Sequence, residues 1–533
     1  MRKLPSLRQL IFIIPLLLGL APVAPAQFVF VTNNNAITIT GYNGAGGDVV
    51  IPSSTNGYPV TAIGLYAFAN KFSVTNLIIP NSIASLGDFC FSGCARMTNV
   101  IIGNGVTNIG VSLFENCLKL QTVTFPANIG SISESMFFEC EKLVTTIPNT
   151  VTNIGSTAFG LCYSLTNGTL PTTLLSLGSS AFRLCTSLKR AVIPATVVSI
   201  GNGAFEFCTN LVTVTAPGAI SNAASAFDGC PVANLTIADG SLRIAAAAFV
   251  AFKGSLTNVI IPDTVTNIGP SAFAACDLLQ NVFIGNNVAS VGNSAFRNTA
   301  LTEVYLPDSV TSIGGSAFVV CRSLANVRLP PAITSIEDFT FGGCLQLTNI
   351  VVPGSVTNIG VSAFDSCYRL SHVTLPNGLV TIGDSAFTGC RILPFIILPK
   401  TVTALGFDAF GSCTNLRQVY FRGNPPAGND SSVFSGDPVV VYYLPGTTGW
   451  SSFFDGVPAV LWNPQATSLS KTGGHFGFNI TGSTNSVLVV EATTDLVDPV
   501  WSPVSTNLLS ASGTSVFSDP SAYPRRFYRF RSP

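Results

Sequence analysis

The stretch "VTNIGVSAFDSCYRLSHVTLPNGLVTIGDSAFTGC", Val356 to Cys390, contains one phrase twice. Ile359-Gly360, Phe364 and Cys367 return as Ile382-Gly383, Phe387 and Cys390, each 23 residues later. Self-similarity at such a period is the mark of stacked repeats, and it takes precedence over length as a guide to domain count. Only "YRLSHVTLP" between the two phrases is individual, and it holds one of the two histidines in the chain.

Working outward, the same Phe recurs at 68, 91, 114, 137, 159, 182, 205, 227, 249, 273, 296, 318, 341, 364, 387 and 410. These are sixteen copies at spacings of 22 to 24 residues. One copy can be read physically. Leu256, Val259 and Ile261 alternate as the inward residues of a short strand, and Pro262 ends it because proline cannot donate to a ladder. Val265 and Ile268 form a second short inward-facing segment, and Gly269 allows a corner. "PSAFAAC" predicts a helical or 3₁₀ turn that drops Phe273 inside. One coil alone cannot bury these residues, whereas stacked coils can.

"SVTNIGVSAFDSCYRLSHVTLP" resembles the BspA-like leucine-rich repeat family of bacterial surface proteins, and "ITITGYNGAGGDVVIPSSTNGYPVTAIGLYAF" (37–68) is similar to that family's first coil. The resemblance covers about residues 36–422. It implies a β-rich repeat solenoid, a leucine-rich-repeat stack of about 16 coils, with adhesion or protein binding at a bacterial surface. Departures are local: Phe252 and Thr299 stand where Cys is expected, "LVTTIP" (143–148) is one residue short, and "LRIAAAAF" lacks the Ile-Gly corner. A bend or fraying is expected at such coils, above all at 241–252.

Thirteen of the fourteen cysteines lie three residues after the marker Phe, Cys90 being the exception. An even count in an exported chain suggests disulfides. Stacked equivalent residues, however, sit about 4.7–4.9 Å apart with parallel side chains, while bridged Cβ atoms need about 3.8 Å and converging vectors. A ladder of buried thiols fits better, and Cys90 with Cys94 has no second pair to complete a zinc site.

Charged residues are 9% of the chain, apolar residues 47%, and Lys+Arg equals Asp+Glu at 25 each. Such a chain has no field for nucleic acid and no composition for disorder. Arg2, Lys3 and Arg8 precede "LIFIIPLLLGLA" and an Ala24-Pro25-Ala26 exit, which predicts a signal peptide over residues 1–26. No later apolar run reaches the ~20 residues of a membrane span. The mature chain is thus expected to be secreted or attached to the outer surface.

The search for chemistry yields no catalytic, cofactor-binding or metal-ligating set. His372 and His475 are the only histidines, and neither sits in a nucleophile motif. Glu303 and Asp308 fall at exposed positions, no glycine run has a Walker lysine, and "GNDSSVFSGD" (428–437) lacks calcium-loop spacing. The expected site is instead a surface. Outward strand positions are the third and fifth residues of L-x-x-V-x-I. They place Ile260, Phe283, Tyr305, Arg328 and Val351 in one column, with Glu303 and His372 beside it. Aromatics and Arg anchor interfaces; β-branched and aromatic residues also simply favour strands. The expected ligand is a protein or a polysaccharide; a structural role without a ligand is the alternative.

Both ends differ from the repeats. Residues 27–60 read as an N-terminal cap, 61–422 as the solenoid and 423–465 as a C-terminal cap containing the strand "VVVYYLP". Residues 466–533 read as a small all-β, sandwich-like module with Trp501 and Phe527 inside. Its Arg525, Arg526, Arg529 and Arg531 form either an envelope-anchoring patch or an ordinary solvated strand face.

Overall fold

A computed structural model of the protein describes residues 27–220, 223–426, 432–472, 475–521 and 525–532. The predicted signal peptide and residues 428–431 of the glycine-rich loop lie outside the described residues. The chain divides into two compact units, 1–129 with 136–141 and 130–135 with 142–533. The short coil "LVTTIP" (143–148) carries no strand, so losing one residue removes a rung at this division. The suspect coil at 241–252 keeps its strand, Arg243–Ile244, paired in parallel with Asn267–Ile268. There Phe252 replaces the cysteine and is itself buried, 5.5 Å from Phe227.

In the first unit the antiparallel pair Phe28–Asn33 and Ala36–Tyr42 closes the edge that a bare first coil would expose. Tyr42 stacks on Phe68 at 4.9 Å, and Phe68, Phe91, Phe114 and Phe137 continue the column. Parallel strands Val74–Ile79, Asn99–Ile102 and Thr122–Thr124 form one wall. The second unit repeats this plan. Phe159, Phe182, Phe205 and Phe227 stack, and from Phe249 the column runs through Phe410 to Phe434. Phe434 is thus one further turn, inside the predicted cap.

The turn carrying each Phe is not the helix expected. Among the described residues only Ala223–Ala226 is α-helical, and at these turns only Val250–Phe252 is 3₁₀. Elsewhere two residues of each turn take left-handed backbone, as Ser362 (φ 51°) and Ser366 (φ 58°) do on either side of Phe364. That conformation costs a non-glycine residue about 1–2 kcal/mol, and it breaks the helix. In return it aims alternate N–H groups along the stack. Ser362, Phe364 and Ser366 donate to the carbonyls of Asp384, Ala386 and Thr388, at 2.8, 2.8 and 2.7 Å. Each such bond contributes about 0.5–1.5 kcal/mol. A segment without strand geometry therefore forms a third ladder between coils.

That ladder leaves the carbonyl of Phe364 outside it, and a cysteine takes it. Cys390 Sγ donates to Phe364 O at 3.5 Å, Cys367 Sγ to Phe341 O at 3.3 Å, and Cys413 Sγ to Phe387 O at 3.1 Å. Thr299 does not replace this inter-coil bond: its hydroxyl donates to Phe296 O of its own coil at 3.0 Å, while Cys321 of the next coil donates to the same carbonyl at 3.1 Å. Burial pushes the Cys185 and Cys276 thiols up to about 12, so they stay protonated and unreactive at neutral pH. The corner glycine is also explained by packing. A Cβ on Gly383 would lie 2.8 Å from Gly360 C and 2.9 Å from Val361 N. The requirement is close approach of neighbouring coils, not a positive φ.

The C-terminal cap adds parallel strands Val440–Tyr443 and Val457–Leu461 after Gln418–Phe421. The tail is two three-stranded antiparallel sheets. One holds Gln465–Thr472, His475–Thr481 and Thr514–Ser518; the other holds Ser502–Leu508, Val487–Thr493 and Phe527–Arg531. Trp501 and Phe527, expected inside, are only half-buried. On strand Phe527–Arg531 the residues that pack into the core are Tyr528 and Phe530, alternating with the others by the period of two.

Two measurements check this account. Phe364→Ala, in a column with neighbouring rings at 5.5 and 5.2 Å, is expected to cost about 3–5 kcal/mol in urea unfolding. Denaturation without reductant is expected to release all fourteen cysteines as titratable thiols; a marked deficit would mean that disulfides replace the sulfur-to-carbonyl ladder.

Candidate binding face

Strand Asn258–Ile261 shows how the face is made. Val259 and Ile261 are buried, while Asn258 and Ile260 point outward. Parallel register then aligns equivalents: Ile260 faces Phe283, Tyr305 faces Arg328, and Val351 faces Thr374. The pairing of Ser290–Val291 with Ser312–Ile313 and the hydrogen bond from Thr348 N to Ala325 O keep the intervening coils in step. The exposed fractions are 49% for Ile260, 58% for Phe283, 63% for Tyr305 and 65% for Val351. Glu303, Arg328 and His372 are exposed too. The structure thus brings all seven candidate residues onto one side of the sheet wall.

The charges on this face are locally spoken for. Arg328 Nη2 lies 2.8 Å from Asp308 Oδ1, and Tyr305 donates its hydroxyl to Glu303 Oε2 at 3.2 Å. Both groups of the ion pair are exposed, so it contributes little stability. Beside the column runs an amide ladder, Asn281 Nδ2 to Asn258 Oδ1 at 2.8 Å and Asn258 Nδ2 to Asn234 Oδ1 at 2.9 Å. Ser371 Oγ gives its proton to Thr348 O at 3.1 Å and lies 2.8 Å from His372 Nδ1. Among the described residues no three His, Cys, Asp or Glu side chains gather as a metal site.

Toward the C-terminus the face deepens and then ends. His372, Thr374, Phe395, Ile397, Pro399 and Arg422 border a cavity of about 330 Å³. Tyr420, the fifth residue of "LRQVYF" and outward by the same alternation, is fully buried. The tail covers it. Tyr420 Oη donates to Val487 O at 3.1 Å and accepts from Val487 N at 3.0 Å, and Tyr442 Oη donates to Thr484 O at 2.9 Å. Tyr420, Tyr442 and Trp462 share one buried cluster with Phe478, Ile480, Leu488, Val490, Leu509 and Phe517 of the tail. The strand Gln418–Phe421 is accordingly buried at every position, where a strand such as Asn258–Ile261 alternates.

The arginines of the tail are mostly structural. Arg529 and Arg531 both reach Glu491, at 2.7 and 2.8 Å, and Arg526 reaches Asp519 at 2.7 Å. Burial opposes ionisation of Glu491, yet the hydrogen bonds from Arg531 and Arg529 outweigh it and hold the carboxyl below its ordinary range. Asp519 is likewise held low against burial, by Tyr528, the Ser521 N–H and Arg526.

This molecule is a leucine-rich-repeat solenoid protein with a β module seated on its last coils. The sequence profile described as "BspA type Leucine rich repeat region (6 copies)" matches residues 61–146, 144–253, 243–371 and 334–437, and the chain belongs to that family. Among solved structures it is similar to a leucine-rich repeat protein from Bacteroides ovatus, at 24% identity and TM-score 0.42, over 78% of this chain and 98% of that one. A leucine rich cell surface protein from Faecalibacterium prausnitzii matches at 26% identity and TM-score 0.25, over 72% and 93% of the two chains. The pneumococcal vaccine antigen PcpA matches at 15% identity and TM-score 0.28, over 82% and 91%. No curated protein matches the sequence. No helix among the described residues is long and apolar enough to cross a membrane.

The docked tail should respond to acid and to one hydroxyl. Depressed carboxyls stabilise the folded state above their unfolded pKa of about 4 and lose that contribution as pH falls through their lower folded values. Protection factors of the 487–493 strand, taken relative to the intrinsic exchange rate at each pH, are therefore expected to be high at neutral pH and to fall well below pH ~4. Tyr420→Phe leaves both backbone groups of Val487 without this partner and should weaken docking by about 1–3 kcal/mol, read as faster exchange at 484–490 with the solenoid unchanged.

Proposed function

We propose that the protein is exported, works without catalysis at the cell surface, and binds a protein ligand on the strand face from Ile260 to His372. The observation that carries this reading is the run of Ile260, Phe283, Tyr305 and Val351, about half or more exposed, aligned along the strand face with the exposed Arg328. Apolar and aromatic residues gathered on an exposed face with Arg are the composition of interface hot spots. Export is supported by the basic and apolar pattern of residues 1–26. A polysaccharide is the weaker reading, because the asparagine amides that would serve sugar hydroxyls already bond to one another.

The test is binding of the whole chain from Gln27 to an array of extracellular-matrix and cell-surface proteins and polysaccharides. Phe283→Ser, Tyr305→Ser and Arg328→Ser together are expected to abolish capture of the protein ligand while circular dichroism stays unchanged. Undiminished binding would move the site elsewhere. The tail must be kept, because removing residues 466–533 would uncover Tyr420 and Tyr442 and create an artificial apolar surface.

A further inference from the structure

The tail sandwich is closed along one side only. There Asn507, on strand Ser502–Leu508, reaches Ser515 Oγ and Val516 O of strand Thr514–Ser518, both at 3.4 Å. On the other side strands Gln465–Thr472 and Phe527–Arg531 each end their sheet. Between these two free edges lies a groove of about 490 Å³. Its floor is aromatic: Phe476, Phe478, Tyr528 and Phe530, with Phe476 stacked on Tyr528 at 5.2 Å. Lys471 and Arg525 line it as well. Unlike Arg526, Arg529 and Arg531, these two cations have no carboxylate partner among the described residues.

The same module carries a projection of complementary chemistry. In "TDLVDPV" (494–500), Leu496 is 51% exposed, Val497 96% and Val500 76%, and Asp495 and Asp498 flank them. Among the described residues none covers these side chains. The loop is nonetheless organised: Val497 N donates to Asp495 Oδ1 at 2.7 Å, and Thr493 Oγ1 donates to Asp495 O at 2.9 Å. An ordered apolar knob bearing two carboxylates loses little freedom on docking.

We propose that the groove receives the 494–500 knob of a second copy of this chain, giving a two-fold dimer through the tails. Val497 and its neighbours enter the aromatic floor, and Asp495 and Asp498 meet Lys471 and Arg525. The geometry favours a closed pair over a chain of subunits. Thr493, just before the knob, pairs directly with Phe527, and Arg525 lies over the Phe527 ring at 4.8 Å. Knob and cationic mouth therefore open at the same end of the sandwich, where one two-fold axis satisfies both contacts at once. The solenoid face is left free by this arrangement, so the dimer would present two copies of it and gain from avidity.

Sedimentation velocity on the chain from Gln27 tests the idea. The wild type is expected to shift from monomer to dimer with concentration and to shift back with added salt. Val497→Asp should weaken the dimer at least ~10-fold, since it places a charge in the apolar floor. Asp495→Lys with Asp498→Lys should give monomers, and so should Lys471→Glu with Arg525→Glu. Mixing the two reversed proteins should restore a dimer, because the reversed knob then meets the reversed groove while the native knob meets the native groove. A wild type that stays monomeric at all concentrations overturns the proposal, as does a mixture that fails to associate. All of these substitutions sit on exposed loop or groove-rim positions, and unchanged near-UV circular dichroism confirms that the fold is intact.

Discussion

The structure rests on the hydrogen bonds that pass from the turn of one coil to the turn of the next. Two left-handed residues per turn, such as Ser362 and Ser366, convert a would-be helix into a donor row aimed along the stack. Once that row is set, spacing and direction of the neighbouring coil follow. Phe364 is carried into the interior above Phe341 and below Phe387, and its carbonyl, which accepts the Cys367 N–H within the turn, also accepts from the Cys390 thiol of the next coil. The corner glycine follows as well, because coils held this closely leave no room for a Cβ at Gly383. The turn ladder thus explains the Phe, the Cys and the Gly of the repeat together. None of the three need have been selected for chemistry.

Legibility tracked this division. The period, the strand alternation and the family were open in the sequence, because a Phe returning every 22 to 24 residues finds a common interior only in a stack of equal coils. The turn was not, since left-handed backbone at Leu161, Leu184 or Val320 contradicts the local preference of those residues. Their conformation comes from the next coil, which a local reading does not contain. The same limit applied at the break: a missing residue at 143–148 removed a strand, while the more irregular-looking 241–252 kept its pairing because Phe252 filled the vacant core volume.

On the face, the outward positions were legible from the period of two, and Ile260 through His372 lie where alternation puts them. Tyr420 was the failure, and its cause is specific. Alternation predicts which way a side chain points, but not whether another part of the chain arrives to cover it. Here the tail arrives across 67 residues of sequence, and Tyr420 meets Val487 with both hydrogen-bonding functions of its hydroxyl. A tyrosine suits this place because its ring joins the apolar cluster while its tip satisfies a loop backbone.

The tail also explains why a chain so poor in charge concentrates arginines at its end. Two guanidiniums on the nearly buried Glu491, and a third with a tyrosine hydroxyl on buried Asp519, are arrangements that tolerate little rearrangement. Removing one partner from such a group leaves another uncompensated, which costs far more than an exposed pair returns. The last residues of the chain are thereby bound into the sandwich core, and the sandwich into the last coils through Tyr420 and Tyr442. A C-terminal module secured in this way differs from a flexible appendage: it covers the outward ring of Tyr420 together with Tyr442, and leaves the face from Ile260 to His372 exposed. The boundary between structure and surface on this protein is therefore drawn by the non-repeating module.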